Sequence, residues 1–343
     1  LSKKGKQPMF NERKNIIVVF NGEIYNYPSL KDELIKKGHK FESTSDTEVI
    51  VHGYEEYGEN ICEKLEGMFA FALWDLRKRK LLIARDHIGE KPLYYYKDKN
   101  KFIFSSEIKA ILVDESVPRE VDLQNLADYL ELRYSVGNRT MFSEIKKVLP
   151  GTYITYEKGE FKEKKFYKLP ENNEEIKPDK EVVSKLIENA VRKRLASDVP
   201  LGVFLSGGLD SSAIVAHMSK FREKIKTFSV GFGEVNDELK YARMIAEKFN
   251  TEHKEIILNK DVLANLPKVI WHFDEPIADP AAIPTYLLAK EVSKHVKVVL
   301  SGEGGDEVFG GYQTLNLLPK LKKIEHLPGF LRKRVLSSLA NSF

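Results

Sequence analysis

One cysteine in 343 residues, Cys62, leaves no partner for an intramolecular disulfide and fits a reducing compartment. Zinc-type cysteine pairs are therefore absent as well. No uninterrupted apolar run is long enough to span a bilayer, and no signal peptide opens the chain. Nor does one sign of charge dominate. The 55 Lys and Arg against 51 Asp and Glu give +4, with no strongly basic face to argue for nucleic acid. Two basic clusters, 320–323 and 332–334, alternate with apolar residues and read as a solvated helix face. The ends, "LSKKGKQPMF" and "VLSSLANSF", read as interior stretches of a longer protein.

The remaining composition is that of a soluble globular protein, 42% hydrophobic and 31% charged, and the length predicts two domains. In the first half, "NIIVVF", "MFAFALWD", "KLLIARD", "PLYYYK" and "KFIFSSE" are strand-like, and "KDKNK" reads as a hairpin loop. Helices are predicted from Tyr27 to Lys37, stopped by Gly38, and from about Thr47 to Glu66. Short connections suit an antiparallel sheet. The stretch "VDLQNLADYLELRY" is helical, and "GTYITYEKGEFKEKKFYKL" reads as a hairpin turning at Lys158-Gly159. A polar, proline-bounded linker follows at Pro170–Lys180.

In the second half, near-continuous apolar strands ("GVFLS", "IKTFSVGF", "HKEIIL", "VKVVLS") alternate with helices, which predicts a parallel doubly wound sheet. Ligands bind such sheets at the carboxyl ends of the strands. Two glycine-rich stretches, Ser206–Asp210 and Ser301–Asp306, follow strands directly and should line one crevice. In the first, Gly207 and Gly208 allow close backbone approach, while Ser206, Ser211 and Ser212 add hydroxyl donors at a helix start. No lysine stands in this loop, which excludes the GxxxxGK[ST] phosphate loop. Countercharge would come from Mg²⁺, with Asp210 as a suitable ligand. Glu303, Asp306 and Glu307 are available for the same ion or for general-base work. A loop that holds diphosphate by backbone and metal favours attack on the α-phosphorus, with pyrophosphate leaving.

The stretch "SGGLDSS" resembles the pyrophosphate-loop signature of ATP-pyrophosphatases. With "FNGEIYNY", "SDTEVIVHGYEEYG", "LEGMFAFALWD", "ARDHIGEKPLYYY", "FSSEIKAIL", "DEPIADPAAIPTY" and "VVLSGEGGDEVFGGY", in this order, the chain resembles the glutamine-hydrolysing asparagine synthetases up to Tyr312. The resemblance implies that Leu205 and Val230 contact the adenosine of ATP. By the same resemblance Ser206, Gly207, Gly208, Asp210 and Ser211 hold pyrophosphate and Mg²⁺, and Ser301 and Gly302 lie against the nucleotide. Asp306 would serve the metal, and Glu303 would assist ammonia's attack on β-aspartyl-AMP. It further implies a class II glutaminase domain. There Asn21 and the Gly22 amide would form the oxyanion site, with Glu23 and Asp46 on the ammonium of glutamine.

The family's nucleophile is an N-terminal cysteine that this chain lacks, as it lacks the arginine that clamps the glutamine carboxylate. Cys62 sits at helical spacing and reads as a buried structural thiol, so the chain as given is expected not to hydrolyse glutamine. His87 and His272 read as packing or hydrogen-bonding residues, and Arg85–Asp86 as a structural ion pair under the "GEKPLYY" turn. Asp274, Glu275 and Asp279, with Pro276 and Pro280, read as a rigid loop bordering the substrate crevice.

The expected architecture is α+β then α/β. An incomplete N-terminal-nucleophile-type αββα sandwich at 1–169 precedes a linker at 170–180 and a doubly wound ATP-pyrophosphatase domain at 181–343. A shielded channel would carry ammonia between them. Expected ligands are aspartate, glutamine, ATP and Mg²⁺, with no nucleic acid, no membrane, a cytoplasmic location and a homodimer as candidate assembly. The alternative is an amidotransferase of the same scaffold acting on another carboxylic acid.

Overall fold

Strict alternation along one strand organises the first half of the chain. The computed structural model describes residues 5–171, 179–197, 199–231, 233, 239–258, 263–312, 315, 319, 329, 331 and 332. The elements before the linker are β1 (Met9–Phe10), β2 (Ile16–Ile24), α1 (Tyr27–Lys36), α2 (Glu48–Tyr57), α3 (Ile61–Lys64), β3 (Gly67–Asp75), β4 (Lys80–Arg85), β5 (Tyr94–Lys97), β6 (Phe102–Ser105), α4 (Ile108–Ile111), α5 (Leu123–Leu132), β7 (Ile145–Lys147), β8 (Thr152–Glu157) and β9 (Glu160–Lys165). Among the described residues these strands form two sheets, ordered β1-β2-β3-β4-β8-β9 and β6-β5-β7. Every pairing in them is antiparallel.

Side chains of β3 divide by parity, as a pleated strand requires. Phe69, Phe71 and Leu73 join an apolar cluster with Leu30 and Leu34 of α1, Val49 and Ile50 of α2, and Ile61 of α3. Ala70 and Ala72 face the other way, into a second cluster with Tyr95 of β5 and Ile154 of β8. Across β5 the alternation repeats: Tyr96 packs with Ile108 and Ile111 of α4. The apolar clusters thus separate a helix layer, a six-stranded sheet, a three-stranded sheet and α4. Cys62 lies fully inside the first cluster, and burial pushes its thiol far up, which fits the structural reading.

Local signals in the sequence hold closely here. The β8–β9 hairpin turns at Lys158 and Gly159, both at positive φ (51° and 85°), as a two-residue primed turn requires. Gly38 (φ 97°) ends α1, with His39 N–H donating to Leu34 O at 3.1 Å. In α5, Asp122 caps the first turn, its side chain accepting from Asn125 N at 2.9 Å. The helix expected across Thr47–Glu66 is broken. Gly58 (φ 59°) ends α2, a 3₁₀ turn spans Gly58–Asn60, and α3 folds back against α2. Gly53 makes room for this, since a Cβ there would stand 2.2 Å from Ile61 Cδ1.

After the linker come α6 (Lys180–Arg194), β10 (Leu201–Phe204), α7 (Leu209–Met218), β11 (Lys226–Gly231), α8 (Leu239–Lys248), β12 (Glu252–Ile257), α9 (Leu266–Phe273), α10 (Ala282–Val292), β13 (Val298–Leu300) and α11 (Gly305–Phe309). The strands form a sheet ordered β12-β11-β10-β13, with β10 parallel to both β11 and β13. Helix α6, which no expected element covers, starts at an Asp179 cap and ends in Arg192, Lys193 and Arg194, favourable to its dipole. The basic cluster at 320–323, residues 333 and 334, the "VLSSLANSF" terminus and most of the expected linker (172–178) lie outside the described residues.

The chain forms two compact units, Leu1–Pro200 with Ile257–Lys297, and Leu201–Ile256 with Val298–Phe343. Asp274 and Glu275 show how residues 257–297 join the first unit. Asp274 Oδ2 accepts the Ile108 amide at 2.8 Å, and its Oδ1 lies 2.9 Å from Lys109 Nζ. Glu275 Oε1 accepts the Met141 amide at 2.8 Å, and its Oε2 lies 3.2 Å from Lys147 Nζ. Both carboxylates are occupied in fastening the segment.

Candidate functional site

In the first unit, the predicted glutaminase residues gather at the end of β2. Asn21, Gly22 and Glu23 are consecutive on the strand, opposite Ala70, Phe69 and Met68 of β3. Backbone approach at this point is unusually close. A Cβ on Gly22 would lie 2.0 Å from Met68 O and 2.8 Å from Phe69 Cα, and one on Gly67 would lie 2.1 Å from Glu23 O. Only glycine fits at either place, so "NGE" is a strand segment here and not a hairpin turn. The exposed Asn21 donates its side-chain N–H to Ser106 Oγ at 3.3 Å, a contact across 85 residues that no local signal announces. Asp46 is drawn to the same strand end, its Oδ2 accepting the Ile24 amide at 2.8 Å. Burial holds the Asp46 carboxyl above its usual range, against the pull of the Ile24 and Thr47 amides.

Arg85 and Asp86 depart from the ion pair expected of them. Each serves backbone instead. Arg85 donates to the carbonyls of Lys91, Val148 and Gly89 at 2.7, 2.9 and 2.8 Å. The fully buried Asp86 accepts the amides of Phe69, Ile88, Gly89, Glu90 and Lys91 at 2.7–3.2 Å. Gly89 (φ 77°) permits the turn that presents those amides. His87 packs edge-on against Phe166 and Tyr167, and burial lowers its pKa, in keeping with a packing role. His272 lies beside the ring of Tyr286, tilted by 37° at a centroid distance of 5.3 Å.

In the second unit, the two glycine-rich loops meet. The first leaves β10 and enters α7 through a Gly208 cap. Ser206 and Ser211 close it: their hydroxyl oxygens are 3.0 Å apart, and Ser206 N–H donates to Ser211 Oγ at 3.3 Å. Gly208 N–H donates to Ser206 Oγ at 3.2 Å, and Ser212 Oγ donates back to Gly208 O at 2.6 Å. Gly207 (φ 84°) must lack a side chain, because a Cβ would stand 2.6 Å from both Ala242 N and Tyr241 Cβ. Leu205 is buried, its amide bonded to Phe228 O at 2.8 Å and its carbonyl accepting the Ser229 hydroxyl. Val230 follows on β11, half-buried.

The second loop leaves β13 and settles on the start of α7. A Cβ on Gly302 would lie 2.8 Å from both Asp210 Cβ and Ser211 N, and one on Gly305 only 2.6 Å from Asp210 Cγ. These glycines let one loop close over the carboxylate of the other. Among the described residues, the Asp210, Glu303 and Asp306 side chains accept no hydrogen bond and enter no ion pair. Glu307 differs from the expectation: it accepts the Tyr312 hydroxyl, which lowers its pKa and pushes the phenol up to about 12. The strands that carry both loops, β10 and β13, are neighbours, and β10 is followed outward on its other side by β11 and then β12. In open α/β sheets this reversal of direction is where ligands bind.

Comparison with known proteins fits this arrangement. Residues 1–167 match the glutamine amidotransferase domain family and residues 182–343 the asparagine synthase family. Those matches place a glutamine amidotransferase family segment ahead of an asparagine synthase family segment. Asparagine synthetase [glutamine-hydrolyzing] 1 of Bacillus subtilis is 42% identical over 338 residues, 97% of this chain and 53% of its own length. A Methanocaldococcus jannaschii protein, provisionally named as asparagine synthetase [glutamine-hydrolyzing] 2, is 37% identical over all of this chain and 72% of its own. The chain belongs to the glutamine-hydrolysing asparagine synthetase family. It spans about half the length of the Bacillus relative. Among solved structures, the glutamine phosphoribosylpyrophosphate amidotransferase of B. subtilis aligns at a TM-score of 0.35 and 16% identity, over 76% of this chain and 50% of its own, too remote to carry an argument.

Proposed function

We propose that the intact protein makes asparagine from aspartate, ATP and ammonia, the ammonia coming from glutamine. The carrying observation is the contact of the two loops, with Gly302 and Gly305 packed against Asp210. In this reading residues 181–343 belong to a doubly wound ATP-pyrophosphatase domain, and residues 1–169 to an N-terminal-nucleophile-type αββα domain, each continued in the intact protein, with the linker at 170–180.

The first loop would take the pyrophosphate end of ATP. Its closed serine ring and the start of α7 offer hydroxyl and amide donors to phosphate oxygens. Asp210 and Asp306 are hard oxygen ligands without a partner among the described residues, and they suit Mg²⁺. When bound, the ion would offset charge on the leaving pyrophosphate. Leu205 and Val230 would border the adenosine, and Ser301 and Gly302 the α-phosphate. The aspartate side-chain carboxylate attacks the α-phosphorus, the bond to pyrophosphate breaks, and β-aspartyl-AMP results. Ammonia then attacks the acyl carbon, Glu303 would take a proton from it, and AMP departs.

At the other site, Asn21 and the Gly22 amide would donate to the oxyanion formed on glutamine, while Glu23 and Asp46 would receive its ammonium. Ser106 holds the Asn21 amide in place. Asn21→Ala in the intact protein should reduce glutamine-dependent asparagine formation by roughly 10²–10³-fold, the scale of losing one oxyanion donor. Ammonium-dependent formation should stay within twofold. Equal losses with both nitrogen donors, or no loss with glutamine, would contradict the assignment.

A further inference from the structure

A cluster in the first unit takes no part in the chemistry above. His39 follows the glycine stop of α1, His52 and Glu55 lie one turn apart on α2, and Glu12 stands in the turn between β1 and β2. One nitrogen of each imidazole and one carboxylate oxygen of Glu55 lie within 4.8 Å of one another. His39 Nδ1 is 3.7 Å, and His52 Nδ1 3.3 Å, from Glu55 Oε2. Glu12 Oε2 approaches His52 Nδ1 to 3.8 Å.

The opposite ring nitrogens are also faced by carboxylates. His39 Nε2 is 3.5 Å from Glu56 Oε2, and His52 Nε2 is 3.5 Å from Glu48 Oε1. His52 is 1% exposed, and its Nε2 makes no hydrogen bond. Glu48 is itself fixed, accepting the amides of Glu42 and Ser43 at 2.7 and 2.8 Å and the Ser43 hydroxyl at 2.5 Å. Glu55 Oε1 accepts from Asn11 Nδ2 at 2.8 Å.

A neutral imidazole has one N–H and one lone pair. His52 Nδ1 is within hydrogen-bond distance of Glu55 Oε2, and in the tautomers that put Nε2–H toward the outer carboxylates both Nδ1 lone pairs converge on that oxygen. Acceptors facing acceptors repel, and a cation between them removes the repulsion. Tetrahedral zinc with bonds of about 2.0–2.1 Å separates its ligand atoms by roughly 3.3 Å. The 3.3 and 3.7 Å contacts to Glu55 are close to that, and the trio as a whole, within 4.8 Å, would contract on binding. Outer carboxylates on the far nitrogen of each ligating histidine are the usual support of such sites. Imidazole donors favour zinc over magnesium or calcium.

We propose that His39, His52 and Glu55 bind one Zn²⁺, with Glu12, 3.8 Å from His52 Nδ1, drawn in as the fourth ligand when the ion binds. The ion would pin the β1–β2 turn and the segment after α1 to α2. With Glu12 drawn in, four protein ligands would leave no open position, as in a structural site.

The test uses the intact protein, stripped with a chelator and titrated with Zn²⁺ against a chromophoric competitor. The expected result is one tight equivalent per chain, weakened at least 100-fold in His39→Ala and in Glu55→Gln. Both variants spare the buried His52, so folding should survive. Zn²⁺ should raise the Tm of wild type and leave both variants unmoved, and Co²⁺ should give the intense visible absorption of a tetrahedral site. Absence of a tight equivalent would overturn the proposal and leave an imidazolium–carboxylate cluster. Zinc retained in both variants would overturn it equally, by placing the ion elsewhere.

Discussion

Asp210→Ala in the intact protein should lower ATP-dependent pyrophosphate release at least 10³-fold, about 4 kcal/mol of transition-state stabilisation. The loss follows from where the carboxylate stands. It projects from the first turn of α7, beneath the second glycine loop, and among the described residues nothing in the fold uses its oxygens. In the proposed site its removal would take away the carboxylate suited to hold the metal, while the loop itself stays closed by the Ser206 and Ser211 hydroxyls. Thermal unfolding should therefore shift little. Gly302→Ala should reach a similar end by another route, forcing a Cβ to within 2.8 Å of Asp210 Cβ and Ser211 N and prising the loops apart. Pyrophosphate release by Asp210→Ala within tenfold of wild type would remove the residue from the site.

The largest stability effect is expected at Asp86. Its carboxylate satisfies five backbone amides in a fully buried position. Asp86→Ala leaves those donors without partners, a cost of about 4 kcal/mol on the scale of buried polar groups left unpaired. For a domain of 150–250 residues that corresponds to a fall in Tm of roughly 8–16 °C. The consequence should reach the glutaminase site. Asp86 also donates its own amide to Phe69 O at 2.8 Å, and Phe69 is the residue opposite Gly22. Glutamine-dependent activity should drop more than ammonium-dependent activity at temperatures where the variant is folded. Calorimetry of the two proteins checks the first claim, and a Tm shift below about 3 °C would contradict it.

Much of this could be read in the residues themselves, because the signals are local. Lys158-Gly159 announces a primed turn, Gly38 a helix stop, and strand-glycine-helix sequences mark both loops of the second unit. Other features depend on partners far along the chain. Asn21 meets Ser106 only because the two sheets bring them together, and Asp86 finds its amides only because Gly89 turns the following residues around it. Arg85 beside Asp86 looks like an ion pair in sequence, yet neighbours on a strand end point to opposite faces. Asp274 and Glu275, read as a loop by a crevice, are tied to Ile108 and Met141 across more than a hundred residues. Helix α6 is hard to read because its Asp179 cap stands inside the polar stretch that precedes it. The approach of Gly302 and Gly305 to Asp210 is a matter of strand order, which places β13 directly beside β10.

The central claim is that the two glycine loops form a centre that adenylates aspartate. The direct test supplies the intact protein with ATP, Mg²⁺ and ammonium and measures pyrophosphate and AMP with and without aspartate. The account predicts equimolar pyrophosphate and AMP that appear only with aspartate, together with asparagine. Pyrophosphate release indifferent to aspartate, or release of ADP and phosphate in its place, would contradict it.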